Sequence, residues 1–173
     1  MALVVFLRGL NVGGHRTFRP TTLARQLQHL GAVNVGAAGT LVIRQPVSRL
    51  KLRAEIRLRL PFDAEIMICQ GSEIRRLLTR DYFAGHPVRP GITRFVSLPS
   101  RLPRSKPPLP LQLPSGGRWL LKVLAQEGRF VVGMYRRRMK VIDYLDKLDR
   151  LYGAQATTRS WSTLTAISKV LDG

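Results

Sequence analysis

Residues 2 to 7, ALVVFL, form an unbroken apolar run with valines at its centre, and no other feature narrows the fold as much. A half-exposed strand alternates apolar and polar side chains, whereas one that is apolar throughout reads as fully buried. Six residues fall far short of a bilayer span, and the run lacks the charged start and cleavage site of a signal peptide. The expected setting is the cytoplasm, with no membrane association. At 173 residues and 45% hydrophobic content, the chain can bury a core as one domain or as two small subdomains.

Punctuation after that run sets the order of elements. Pro20 opens a helix whose Leu23, Leu27 and Leu30 fall at helical spacing, and Gly31 supplies its stop. AVNV and TLVI flank the glycine-rich GAAG as a hairpin. Ser48 is placed to cap a second helix running to Leu60 with apolar Leu52, Ile56 and Leu60; Pro61 ends it, and EIMIC supplies a fourth strand. Strand, helix, strand, strand, helix, strand is the split βαβ order of ferredoxin-like domains. That topology brings the end of the first strand, the hairpin and the turn before the fourth strand to one sheet edge. RGLNVGGHR, GAAGT and PFDAE are therefore expected to converge.

The second half reads as a second α+β subdomain, with a boundary expected near residue 70, so that the two parts cover 1–70 and 71–173. Its expected elements are a helix over 72–79, a strand ITRFVSL, a hairpin RWLLKVLAQEGRFVVGMY, and helices at 142–152 and 161–171. The segment PSRLPRSKPPLPLQLPSGG, residues 99–117, reads as a basic loop because proline removes ladder donors.

Charge is the second strong constraint. Twenty-nine Lys and Arg against ten Asp and Glu give +19; the first acid is Glu55, and no acid falls between Tyr82 and Gln126. That balance suggests a polyanionic partner; the alternative is an ordinary soluble enzyme whose arginine excess reflects GC-rich coding, since net charge informs steering and not fold. The densest basic cluster is Tyr135, Arg136, Arg137, Arg138 and Lys140, able to meet phosphates while Tyr135 stacks on a base. An RNA-recognition sheet is disfavoured: Phe6 occupies the aromatic position of the first strand, but GTLVIRQ offers no aromatic on its partner.

Glycines between a strand and a helix let successive N–H groups bind an anion, and Arg8, His15 and Arg16 add charge. The spacing is neither the dinucleotide fingerprint nor the Walker pattern, so no cofactor is indicated. His15, His29 and His86 are scattered and Cys69 is isolated in an apolar strand, so no metal site is indicated either. Asp63 and Glu65, at the glycine edge, are the best carboxylate pair, with neighbouring arginines expected to hold them charged. ATTRSWSTLTAISKVL combines a hydroxyl-rich turn with a helix; Ser160 is placed as its N-cap, and Trp161 as a gap filler between the subdomains.

With VFLRGLNVGGH at 5–15, LGAVNVGAAGTLVI at 30–43 and ATTRSWSTLTAI at 156–167, the chain resembles a bacterial family known as domain of unknown function 1697. Members typically carry Ser-Gly-Asn at the first hairpin and Thr-Arg-Asn-Trp-Asn near the end. This chain has Ala38, Gly39 and Thr40 at the first place, and Ser160 and Ser162 where those asparagines fall. The resemblance implies a ferredoxin-like first part joined to a second α+β subdomain, and it implies no activity, substrate or cofactor. It places the candidate anion site at Arg8, Gly9, Asn11, Gly13 and Gly14, at Gly39 and Thr40, and at Thr158, Arg159 and Trp161.

The leading expectation is a binder of a phosphate-bearing partner, nucleic acid or a phosphorylated small molecule, through that glycine edge and the basic surface. An enzyme acting on a small anion with Asn11, His15, Thr40 or Asp63 is the alternative, and a structural or assembly module is the third reading.

Overall fold

The computed structural model describes residues 1–10, 18–138 and 140–173. Among them the chain divides into two compact units, Met1–Leu78 with Ser162–Gly173, and Thr79–Trp161.

In the first unit, β1 (Leu3–Arg8) is followed by α1 (Pro20–Gln26), a 3₁₀ turn (Gln28–Leu30), β2 (Ala32–Val35), β3 (Thr40–Ile43), α2 (Arg49–Arg59), β4 (Glu65–Gln70) and α3 (Gly71–Leu78). The sheet order is β2-β3-β1-β4 with every pair antiparallel, the order that a split βαβ chain path requires. The opening run explains itself here: β1 lies inside the sheet, and Leu3 to Leu7 are all buried. Alternate residues Leu3, Val5 and Leu7 pack with Leu23, Leu27, Leu52 and Ile56 from the two helices. Pro20 starts α1, and the backbone N–H of Lys51 donates to Ser48 Oγ at 3.1 Å, the cap that the sequence calls for.

The second unit holds β5 (Ile92–Pro99), β6 (Leu111–Leu113), β7 (Leu121–Glu127), β8 (Phe130–Arg136), α4 (Val141–Tyr152) and β9 (Ala156–Ser160), in the sheet order β6-β7-β8-β5-β9, again antiparallel. Phe95, Leu121, Val123 and Val131 form one face under Val141, Leu148 and Tyr152 of α4. Gly133 sits on that face because no side chain fits: a Cβ there would stand 2.1 Å from the Lys122 carbonyl oxygen and 2.9 Å from the Phe95 ring.

Three expectations change. Segment 99–117 is not all loop, since it contains β6, which pairs with β7 alone at the sheet edge. Pro110 and Pro114 flank it where no second neighbour asks for their missing N–H groups. Residues 156–160 are a strand rather than a turn, paired with β5 from Phe95↔Ser160 to Pro99↔Ala156.

The division between units also differs from a single break at residue 70. After the second unit the chain returns to the first as α5 (Trp161–Asp172), whose end is tied there by side chains. Arg44 Nη2 donates to the Val170 carbonyl at 2.8 Å, and Arg75 Nη2 to the Leu171 carbonyl at 3.1 Å and to Asp172 at 2.9 Å. Leu171 lies so close over Gly71 that a Cβ would meet it at 2.9 Å.

Candidate functional site

The glycine edge of the first unit is assembled as the topology predicts. Arg8 lies opposite Glu65, Phe6 opposite Thr40, and the Leu7 N–H donates to the Gly39 carbonyl at 2.8 Å. The end of β1, the β2–β3 hairpin and the start of β4 therefore meet. Asn11, Gly13, Gly14, His15 and Arg16 lie outside the described residues. In the described part, the turn serves packing. Gly39 has φ +92°, and a Cβ there would stand 2.7 Å from Leu10 Cδ1 and 3.0 Å from Leu7 Cβ, so glycine is needed for Leu10 to lie against the hairpin. Thr40 is fully buried on β3. Asp63 and Glu65 are exposed.

The C-terminal candidates belong to β9 and the residue after it. Period-two alternation sends Thr158 and Arg159 to opposite faces of the second sheet. The Thr158 and Ser97 hydroxyls are hydrogen-bonded at 2.6 Å. Arg159, opposite Val96, is buried; burial pushes its guanidinium down to about 10, which leaves it a cation at neutral pH. Its Nη1 donates to the Thr158 carbonyl at 3.0 Å. The Trp161 ring meets Phe83 and Tyr82 edge-on, with centroids 5.0 and 6.0 Å away. Ser160 closes β9 and immediately precedes α5.

The basic cluster leads to a site that the sequence reading located only in part. Tyr135 and Arg136 end β8, Arg137 and Arg138 follow in an exposed turn, and Lys140 is exposed before α4. Tyr135 is half-buried, its ring centroid 5.7 Å from that of Phe95 on the core face. Alternation then turns Arg136 to the other face, where Met134, its neighbour two residues back, lies opposite both Lys122 and Arg94.

On that face Arg136, Lys122, Arg89, Trp119 and His86 line a cleft of about 220 Å³, with Met134 and Ile92 contributing apolar surface. None of its described lining residues is acidic. Trp119 organises the cations: Arg136 Cζ lies 4.2 Å and Lys122 Nζ 4.7 Å from its ring centroid, and Arg136 Nε donates to the Trp119 carbonyl at 2.8 Å. Burial, and then the like charges of Arg118, Arg138 and Arg89, hold the Arg136 guanidinium below its ordinary value. One wall is fixed from beneath by Arg94, whose Nη2 donates to the His86 carbonyl at 2.7 Å while its guanidinium rests 4.6 Å over the Phe83 ring.

Trp119, Lys122 and Arg89 are the residues that sequence reasoning missed. Alternation along FVVGMYR separates Arg136 from Tyr135 but does not mark either face as open, because Phe130, Val132 and Met134 on the side of Arg136 are as buried as Val131 on the other.

Among the described residues, no cluster of His, Cys, Asp and Glu is arranged to hold a metal ion, and no helix is long and apolar enough to cross a membrane. A comparison with curated proteins gives no match. Among solved structures the chain is similar to the conserved bacterial protein SP0830 from Streptococcus pneumoniae, with 14% identity, 98% of each chain covered and a TM-score of 0.63. That likeness shows a shared α+β fold in two parts. The profile of the family described as protein of unknown function (DUF1697) matches residues 1–105, which include the converging edge of the first unit. With that match spanning more than half of its 173 residues, the chain belongs to this family.

Proposed function

We propose that the chain binds a phosphate-bearing polyanion, nucleic acid being the best fit, through the cation face of its second unit. The observation that supports this reading is the cleft lined by Arg89, Lys122 and Arg136, the last two resting on Trp119, with no acidic residue in its described lining. Like charges repel, and an arrangement that holds them together is relieved when an anion enters. Arg137, Arg138 and Lys140 continue the positive surface from the end of β8. Base stacking on Trp119 competes with two cations already resting on its ring, so recognition is led by phosphate and tolerant of sequence.

Binding of a fluorescently labelled oligonucleotide across a salt series tests the reading. Neutralising several phosphates makes the logarithm of affinity fall linearly with the logarithm of salt, by roughly 0.7 per contact for a single strand. Replacing Arg137 and Arg138 together by glutamine reduces that slope by about 1.4 on the same basis. Affinity that ignores salt, or no binding at low salt, overturns the proposal.

A further inference from the structure

Within that reading, and resting on it, we infer that the cleft at Arg89, Lys122 and Arg136 takes a terminal phosphomonoester rather than an internal backbone phosphate. The argument is one of charge and shape. An internal phosphodiester carries one negative charge and two unsubstituted oxygens, so in this cleft it would leave two of three cations unmatched. A monoester carries a charge of about −1.5 to −2 near neutral pH and offers three free oxygens, one for each cationic side chain. Arg89 and Arg136 can each supply a planar fork to a pair of those oxygens, while Lys122 acts as a point charge.

Size agrees with this assignment. A cleft of about 220 Å³ has room for a phosphate group and its three free oxygens. It lies below the roughly 300 Å³ at which pockets for whole drug-sized ligands begin. The donors are also preorganised. Arg136 is held by both its stacking on Trp119 and its bond to the Trp119 carbonyl, and the His86 wall is held by Arg94. Less rotamer entropy is lost on binding than for free surface arginines.

The test compares one oligonucleotide in three forms: phosphorylated at the 5′ end, phosphorylated at the 3′ end, and hydroxyl-terminated. At least one phosphorylated form is expected to bind about tenfold more tightly than the hydroxyl form, and millimolar inorganic phosphate to abolish that preference. Which end is preferred distinguishes the two sources of the group. Both Arg136→Gln and Arg89→Gln are expected to erase the preference and to lower the salt slope of the remaining binding by about 0.7 each, without abolishing the binding that Arg137 and Arg138 also supply. The second variant lies on the exposed rim and guards against a folding defect in the first. Three forms binding within twofold of one another, all salt-dependent, overturn this inference and leave the broader proposal standing. Absence of all oligonucleotide binding, with a tryptophan fluorescence that still titrates with inorganic phosphate and stops doing so in Trp119→Leu, overturns the broader proposal and supports a phosphate-sized cleft.

Discussion

The hairpin edge of the first sheet and the cleft on the second differ in what they do with their special residues. At the edge, Gly39 admits Leu10, and the Leu7 N–H is already given to the Gly39 carbonyl. At the cleft, Arg136 and Lys122 are aligned on Trp119 with the Arg136 guanidinium crowded by like charges. Gly39 reports how closely the chain approaches itself at this hairpin. Cations positioned together, with no acid in the described lining, are the basis of the proposal made for this surface.

The comparison breaks most visibly through Gly39. Valine there adds left-handed strain of about 1–2 kcal/mol and overpacking against Leu10 and Leu7 of about 1–3 kcal/mol, so a loss near 3 kcal/mol in the first unit is expected. Hydrogen exchange at the β1 and β3 amides reads it directly, since Trp119 and Trp161 both lie in the second unit. Oligonucleotide affinity is expected to stay unchanged at temperatures where the variant is folded. A loss of affinity would place the edge in the binding surface after all.

Trp119→Leu acts on the other side of the comparison. Two cation–π contacts worth about 0.5–1 kcal/mol each hold Lys122 and Arg136, so affinity is expected to fall about fivefold. Folding, followed by circular dichroism, should change little. Equal losses in both would make Trp119 a packing residue and the cleft its by-product.

Tyr82→Phe has the smallest expected effect, and it sharpens the contrast within the second unit. Glu127 accepts from Arg80 at 2.9 Å and from the Tyr82 hydroxyl at 3.1 Å, a closed set of partners unlike the cleft. Burial first, and then Glu127, pushes the Tyr82 hydroxyl up from 10.0 to about 12. The folded state thus holds this proton more tightly than the unfolded one. Its contribution to stability is complete below about pH 10 and is lost as pH rises through about 12. The phenylalanine variant is expected to show a shallower alkaline decline in denaturant midpoint and unchanged oligonucleotide binding; an unaltered decline would remove Tyr82 as its source.

Local signals carried the first unit almost completely. The apolar run, Pro20, Ser48 and Pro61 each act over a few residues, and the element order then dictates which loops meet. The cleft was less legible because the β7–β8 hairpin joins Lys122 and Arg136 but only the non-local pairing of β8 with β5, which carries no local mark, adds Ile92 and the segment bearing Arg89. Tyr135 was hard to place for a related reason: in a basic stretch it resembles a stacking residue, and only the pairing of β8 with β5 sets its ring against Phe95. The β9 strand was hidden by its hydroxyls, since Thr157, Thr158 and Ser160 suit a turn as well as a ladder. Only pairing with β5 decides between them.

The return of α5 has a consequence for biosynthesis. A ribosome completes all of residues 79–161 before it delivers the helix bearing Leu164, Ile167 and Leu171, so the nascent first unit waits with its last layer missing. Early termination anywhere in the inserted stretch leaves Gly71 without Leu171 above it, and Arg44 and Arg75 without the carbonyls of Val170 and Leu171.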